Sequence, residues 1–226
     1  MNRSFVTLLI VPALAAAAQV VALAQTAPGS PPVASTRGLV VSASAPASEV
    51  GAATLARGGN AVDAAVATAF ALAVTYPSAG NIGGGGFMIV QPASGEPVAI
   101  DYREKAPLRS TPTMYLGPDG KIVEELTDAG WLAPGVPGTV RGLEEAHRRF
   151  GRLPWREVVL PAVALAEGGF PIDSGLARSL NRVLAGSMAP FPSSVAAYGK
   201  PGGGPWQAGD LLHLPDLGRS LRAIAD

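Results

Sequence analysis

No cysteine occurs in the 226 residues. That absence excludes disulfides, thiolate catalysis, thiolate metal sites and a lipoprotein anchor on an N-terminal cysteine. Histidine is scarce: His147 and His213 stand far apart, so neither a local His-Glu-x-x-His motif nor a histidine-rich metal site is available. An excess of charge is missing too, with 17 basic and 17 acidic residues and no block of like sign. Nucleic acid and anionic membrane surfaces attract clustered lysine and arginine, so neither is expected as the main partner. No Gly-x-Ser-x-Gly elbow or other local nucleophile signature is present.

What is there describes a globular chain. Apolar residues make up 48% and charged ones 15%, enough to build a sizeable core as one large domain or two small ones. Glycine (28) and proline (21) are both frequent, so many turns and close backbone approaches are expected. Residues 1–24 read as a signal peptide: Arg3 gives the positive start, residues 5–21 are apolar, and Ala22-Leu23-Ala24 is a small-x-small cleavage site. The competing reading is an uncleaved anchor, because residues 5–24 approach the roughly 20 needed to span a bilayer. The Ala-x-Ala end decides for cleavage. Residues 25–37 read as a flexible leader with too little apolar surface to fold. The chain is therefore expected to be exported, periplasmic or secreted, with no stable membrane span after cleavage.

The folded part, residues 38–226, is expected to open with a strand over 39–44. Pro46 suits the first turn of a helix that ends near Arg57, before Gly58-Gly59. Asn60 and Asp63 resemble a capping box for a second helix over 61–76, apolar nearly all round and alanine-rich, hence a core helix. Pro77 ends it. Strands over 87–90 and 98–102, with Ser94-Gly95-Glu96 between them, read as a hairpin. Their continuous apolar runs suggest a sheet covered on both faces. Further on come a turn at Gly117-Pro118-Asp119-Gly120, a rigid loop over 134–138, and helices over 139–150, 154–167 and 174–184. A loop at 199–205 precedes a last helix over 217–225, which has no stop signal before Asp226.

The run Asn81-Ile82-Gly83-Gly84-Gly85-Gly86-Phe87-Met88 stands out. Each glycine costs roughly 1 kcal/mol relative to alanine in regular structure, so four imply positive φ or packing too close for a Cβ. A nucleotide loop is excluded, because no Gly-Lys-Ser/Thr follows and the run leads into a strand. Arg103 ends the second strand among Asp101, Glu104 and Lys105. Two readings stand: a surface salt-bridge network, or a bidentate clamp on a substrate carboxylate. Asp63 reads as a cap rather than an acid or base. His147 reads as solvated on a charged helix face, and His213 as a hydrogen-bonded structural residue in an apolar stretch.

Taken together, these stretches resemble the γ-glutamyltranspeptidase (glutathione hydrolase) family of N-terminal nucleophile enzymes. The resemblance rests on Gly58-Gly59-Asn60-Ala61-Val62-Asp63-Ala64-Ala65-Val66-Ala67, the four-glycine run, and Ile100-Asp101-Tyr102-Arg103-Glu104-Lys105-Ala106-Pro107. Pro137-Gly138-Thr139-Val140 and the 151–170 stretch also fit, so the likeness covers residues 38–226 in family order.

The resemblance implies an α/β chain forming part of a four-layer αββα N-terminal nucleophile hydrolase fold, here the large-subunit portion only. It implies a precursor that cleaves itself, and a newly exposed threonine that attacks the γ-glutamyl amide with its own α-amino group as base. No metal or organic cofactor is required. The partners implied are γ-glutamyl compounds such as glutathione, together with the rest of the large subunit and the small subunit. One substrate contact carries over: Arg103 holds the α-carboxylate of the γ-glutamyl group. The threonine falls beyond residue 226, so no catalytic residue is expected in this chain, which by itself is expected to be inactive and marginally folded. A cephalosporin-acylase-like relative and a non-enzymatic exported γ-glutamyl-binding or remnant domain are the alternatives.

Overall fold

The structure is a computed structural model that describes residues 33–226. The signal peptide and most of the leader expected from sequence lie outside the described residues. One compact unit comprises Gly38–Asp226.

α1 (Ala45–Ala56) carries Pro46 in its first turn and stops at Arg57, ahead of Gly58 with φ of 95°. α2 (Ala61–Thr75) begins with the reciprocal cap expected from sequence. The Asn60 side chain accepts from the Val62 and Asp63 N–H groups, and Asp63 accepts from the Asn60 N–H. Val66, Ala67, Phe70, Ala71 and Val74 are wholly buried, so α2 is the core helix its composition predicts. It lies against α1, α4 (Thr139–Phe150) and α5 (Trp155–Gly168). Phe70 meets Trp155 edge-on at 5.5 Å between ring centroids. α8 (Pro215–Ala225) packs on α5, where the Trp155 indole N–H donates to the Ile224 carbonyl at 2.7 Å. α3 (Glu124–Asp128), α6 (Ser174–Ala185) and α7 (Pro192–Tyr198) complete the helices among the described residues.

β1 (Phe87–Val90) and β2 (Val98–Asp101) form the expected antiparallel hairpin, with Phe87 opposite Asp101 and Met88 opposite Ile100. A second small ladder pairs β3 (Phe170–Pro171) with β4 (Leu211–Leu212). Two expectations are corrected here. Only one face of the hairpin is covered: Met88 and Val90 are half-buried against the helices, while Phe87 is 65% and Ile89 77% exposed. The apolar run is two-sided in chemistry, but the described residues provide a layer for one side. Nor do residues 39–44 form a strand. The segment has no ladder partner among the described residues, and Leu39 and Val41 are exposed. Period-two apolar residues favour an extended chain, but a strand needs a neighbour for its N–H and C=O groups. None of the helices among the described residues is long and apolar enough to cross a membrane.

Candidate functional site

Three segments meet where β2 ends: the glycine run 83–86, residues 102–105, and the loop 134–138 that enters α4. No glycine of the run has positive φ. Of the two reasons the sequence leaves open, close packing is therefore the one that operates, at Gly84, Gly85 and Gly86 but not at Gly83. A Cβ on Gly85 would lie 2.7 Å from the Tyr102 carbonyl oxygen and 2.8 Å from the Arg103 Cα. A Cβ on Gly138 would collide with the same Tyr102 oxygen and lie 3.1 Å from the Arg103 carbonyl oxygen. Residues 102 and 103 thus run through a slot whose two walls are bare glycine backbone.

Hydrogen bonds fix the slot at both ends. The Tyr102 N–H donates to the Gly86 carbonyl at 3.0 Å, and Lys105 exchanges bonds with Val136 at 3.2 and 2.8 Å. The Gly84 carbonyl accepts from the Gly138 and Thr139 N–H groups at 2.8 and 3.0 Å. The Asn81 side-chain oxygen accepts from the Gly84 N–H and from the Thr139 hydroxyl, each at 2.7 Å. Tyr102 lays its ring into the gap left by Gly142 on α4, and this partial burial raises its phenol above the ordinary range.

Arg103 emerges from this slot. Its N–H donates to the Asp101 carboxylate at 3.0 Å, and its guanidinium carbon stands 6.0 Å from the centroid of the Phe87 ring. Among the described residues, no carboxylate lies within 4.0 Å of the guanidinium. The salt-bridge network that its charged neighbours suggest does not form, because Asp101 turns back onto main chain. A planar donor set on a pinned backbone, resting near an aromatic face and without an acid of its own, can take a carboxylate through two parallel bonds. An open groove of about 410 Å³ runs alongside, with Tyr102, Arg103, Lys105, Arg141 and Glu145 among its lining.

His147 falls differently from expectation. The His147 side chain is 12% exposed rather than solvated. Its Nε2 lies 2.8 Å from the Leu153 carbonyl and 3.4 Å from the Asp63 carboxylate, and its ring stands 5.3 Å from that of Trp155. The charged face of α4 belongs to Arg141, Glu144, Glu145 and Arg148, where the Arg148 hydrogen bond lowers the Glu145 carboxyl. His147 sits on the opposite, packed side. Asp63 is a cap as read, and more: it is wholly buried and also accepts from the Arg152 N–H at 3.0 Å. His213 is hydrogen-bonded as read, with Nδ1 3.4 Å from the Glu167 carbonyl, but its side chain is exposed. Among the described residues, no three His, Asp or Glu side chains converge as metal ligands.

Sequence reasoning did not find the Asn81–Thr139 hydrogen bond. The available signals were an asparagine leading the glycine run and a threonine beginning a helix, and neither names its partner 58 residues away.

Residues 47–226 match the model of the family described as gamma-glutamyltranspeptidase. The glutathione hydrolase proenzyme of Pseudomonas sp. (strain A14) is 42% identical over 99% of this chain and 38% of its own length. That of Pseudomonas aeruginosa is 47% identical over 79% of this chain and 31% of its own. Among solved structures, the Helicobacter pylori gamma-glutamyltranspeptidase is 43% identical with a TM-score of 0.82, covering 86% of this chain and 56% of that one. The chain thus spans about a third of the length of these curated relatives.

Proposed function

The chain belongs to the gamma-glutamyltranspeptidase family, and from that footing we propose that it supplies the α-carboxylate-binding side of a γ-glutamyl hydrolase or transferase. Its fold is the matching part of the N-terminal nucleophile α/β architecture, the helix layer and hairpin of the large subunit. In this reading Arg103 takes the α-carboxylate of glutathione or a related γ-glutamyl amide through two N–H···O bonds. The nucleophilic threonine comes from outside residues 1–226. Its hydroxyl adds to the γ-carbonyl carbon, the amide C–N bond breaks, and the amine leaves with a proton. Water or an amino acid then takes the γ-glutamyl group from the ester and frees the threonine.

The observation that carries the reading is the Arg103 guanidinium, without a carboxylate partner among the described residues, on a main chain held close to two glycines. Its task is one of binding: a fixed charge at the carboxylate presents the γ-amide at a constant distance from the attacking group. Export to the periplasm or the medium, through residues 1–24, is part of the same proposal.

The test is release of p-nitroaniline from γ-glutamyl-p-nitroanilide by the gene product as expressed from its own locus. Turnover is expected there, and none above host background from residues 1–226 alone. Arg103→Ala should raise KM about a hundredfold, since truncating one partner of a charge pair costs about 2–5 kcal/mol. An unchanged KM in that variant would remove Arg103 from the site.

A further inference from the structure

We propose that Asn81 and Thr139 act as a positioning pair for Arg103, setting the width of the slot from which its side chain emerges. The inference rests on the γ-glutamyl reading above and adds residues to it.

Asn81 belongs to the loop after α2, and Thr139 is the first residue of α4. The cap position of α4 falls on Gly138, which has no side chain to offer the helix's free N–H groups, and Thr139 stands one position further on. Here α4 has no side-chain cap, and the 7% exposed Thr139 spends its hydroxyl on Asn81 instead. The Asn81 oxygen is identified by its partners: the Gly84 N–H can only donate, and the amide nitrogen donates to the Ala79 carbonyl at 3.0 Å. One oxygen therefore holds both the glycine run and the start of α4. The same two segments carry the slot walls, since Gly85 follows Gly84 and Gly138 precedes Thr139.

What lies between those walls is the Tyr102-Arg103 main chain. Neither wall leaves room for a Cβ, so the slot is narrow while the pair holds. Loss of the Thr139 hydroxyl leaves the Asn81 oxygen with one donor and removes one of the three hydrogen bonds that join the two walls. The bonds from Gly138 and Thr139 to the Gly84 carbonyl remain, so the fold survives while Arg103 loses registration. A bidentate clamp depends steeply on registration, so the effect should appear on ligands that have an α-carboxylate and not on those that lack one.

The experiment is calorimetric titration of the gene product, as expressed from its own locus, with L-glutamate and with 4-aminobutyrate, which lacks the α-carboxylate. Wild type should prefer L-glutamate, and Arg103→Ala should abolish the preference. Thr139→Val should weaken L-glutamate about fivefold or more while changing 4-aminobutyrate less than twofold. Thr139→Ser, which restores the hydroxyl, should recover the wild-type ratio. If valine's extra methyl prevents folding, Thr139→Ala removes the same hydroxyl without added bulk and should give the same ratio. Equal weakening of both ligands would mean a purely structural role and overturn the positioning role. So would an unchanged ratio in a product that still loses its preference on Arg103→Ala. If wild type shows no preference for L-glutamate, the γ-glutamyl reading itself fails and the positioning role falls with it.

Discussion

Gly83 and Gly85 are two positions apart, yet the structure gives them opposite burdens. Nothing lies within 4 Å of where a Gly83 Cβ would stand, and its φ is not positive. Gly83→Ala should therefore be neutral or stabilise by about 0.4–1 kcal/mol, through the reduced freedom of the unfolded chain. Gly85→Ala and Gly138→Ala press on main chain that cannot swing aside, and each should cost about 1–3 kcal/mol. Urea midpoints of the three variants check this, and equal midpoints would mean the run is tolerant throughout. From sequence the four glycines are indistinguishable, because what sets Gly85 apart from Gly83 is the backbone of residues 102–104, outside the run itself. Arg103 teaches a related lesson. Its acidic neighbours in sequence made a salt bridge the ordinary expectation, but Asp101 at two residues' distance folds back onto the Arg103 N–H.

At the scale of elements, Asp63 ties the start of α2 to the turn between α4 and α5. Its two oxygens receive N–H groups from Asn60, Arg152 and Leu153, with His147 close by. Asp63→Asn would set an NH₂ group against one of these donors inside a wholly buried cluster. The expected loss is about 2–4 kcal/mol, read as a lower urea midpoint at unchanged slope. Little change would mean that water or rotation relieves the clash. The cap itself was legible, because Asn-x-x-Asp before an apolar run is a local pattern. The second role was not, because its donors come from Arg152 and Leu153. For the same reason His147 was misread: a charged stretch of helix was visible, but not which side of it packs.

A second element-scale prediction concerns the loop before β4. Lys200 and the Gln207 N–H both bond the Asp210 carboxylate, Lys200 first in effect, and hold it below the ordinary aspartate value of 3.8. A lowered carboxyl stabilises the fold above its unfolded pKa and loses that contribution as pH falls through the folded value. The 199–210 loop should therefore loosen only below about pH 4, and Lys200→Met should move that loosening upward. Amide exchange of the Gln207 and Gly209 N–H groups against pH would show it. A loop equally protected at pH 3 and pH 6 would count against the clasp.

For the molecule as a whole, the consequential feature is the bare face of the β1–β2 hairpin. Phe87 and Ile89 stand open there, and Leu39 and Val41 are also exposed, on extended chain without a ladder. Large apolar side chains left open in this number favour association. Residues 38–226 expressed by themselves should self-associate at micromolar concentration and bind a hydrophobic dye. Ile89→Lys should reduce both at a stability cost within about 0.5 kcal/mol, since that side chain packs against little. A monomeric chain that leaves the dye dark would refute this.

The longer helices, the Asn60–Asp63 cap, the hairpin and the family membership were set by residues close together in sequence, where periodicity, proline, glycine and capping chemistry act over a few positions; the short helices Glu124–Asp128 and Pro192–Tyr198 were not read there. Which glycine is obligatory, where His147 points, what Asp63 holds and whether Arg103 is paired were decided by tertiary structure. Each depends on a contact between segments tens of residues apart, and such contacts leave no local trace. The same holds for residues 39–44, where the apolar alternation is written in the chain. A strand exists only when another backbone comes alongside to complete its hydrogen bonds.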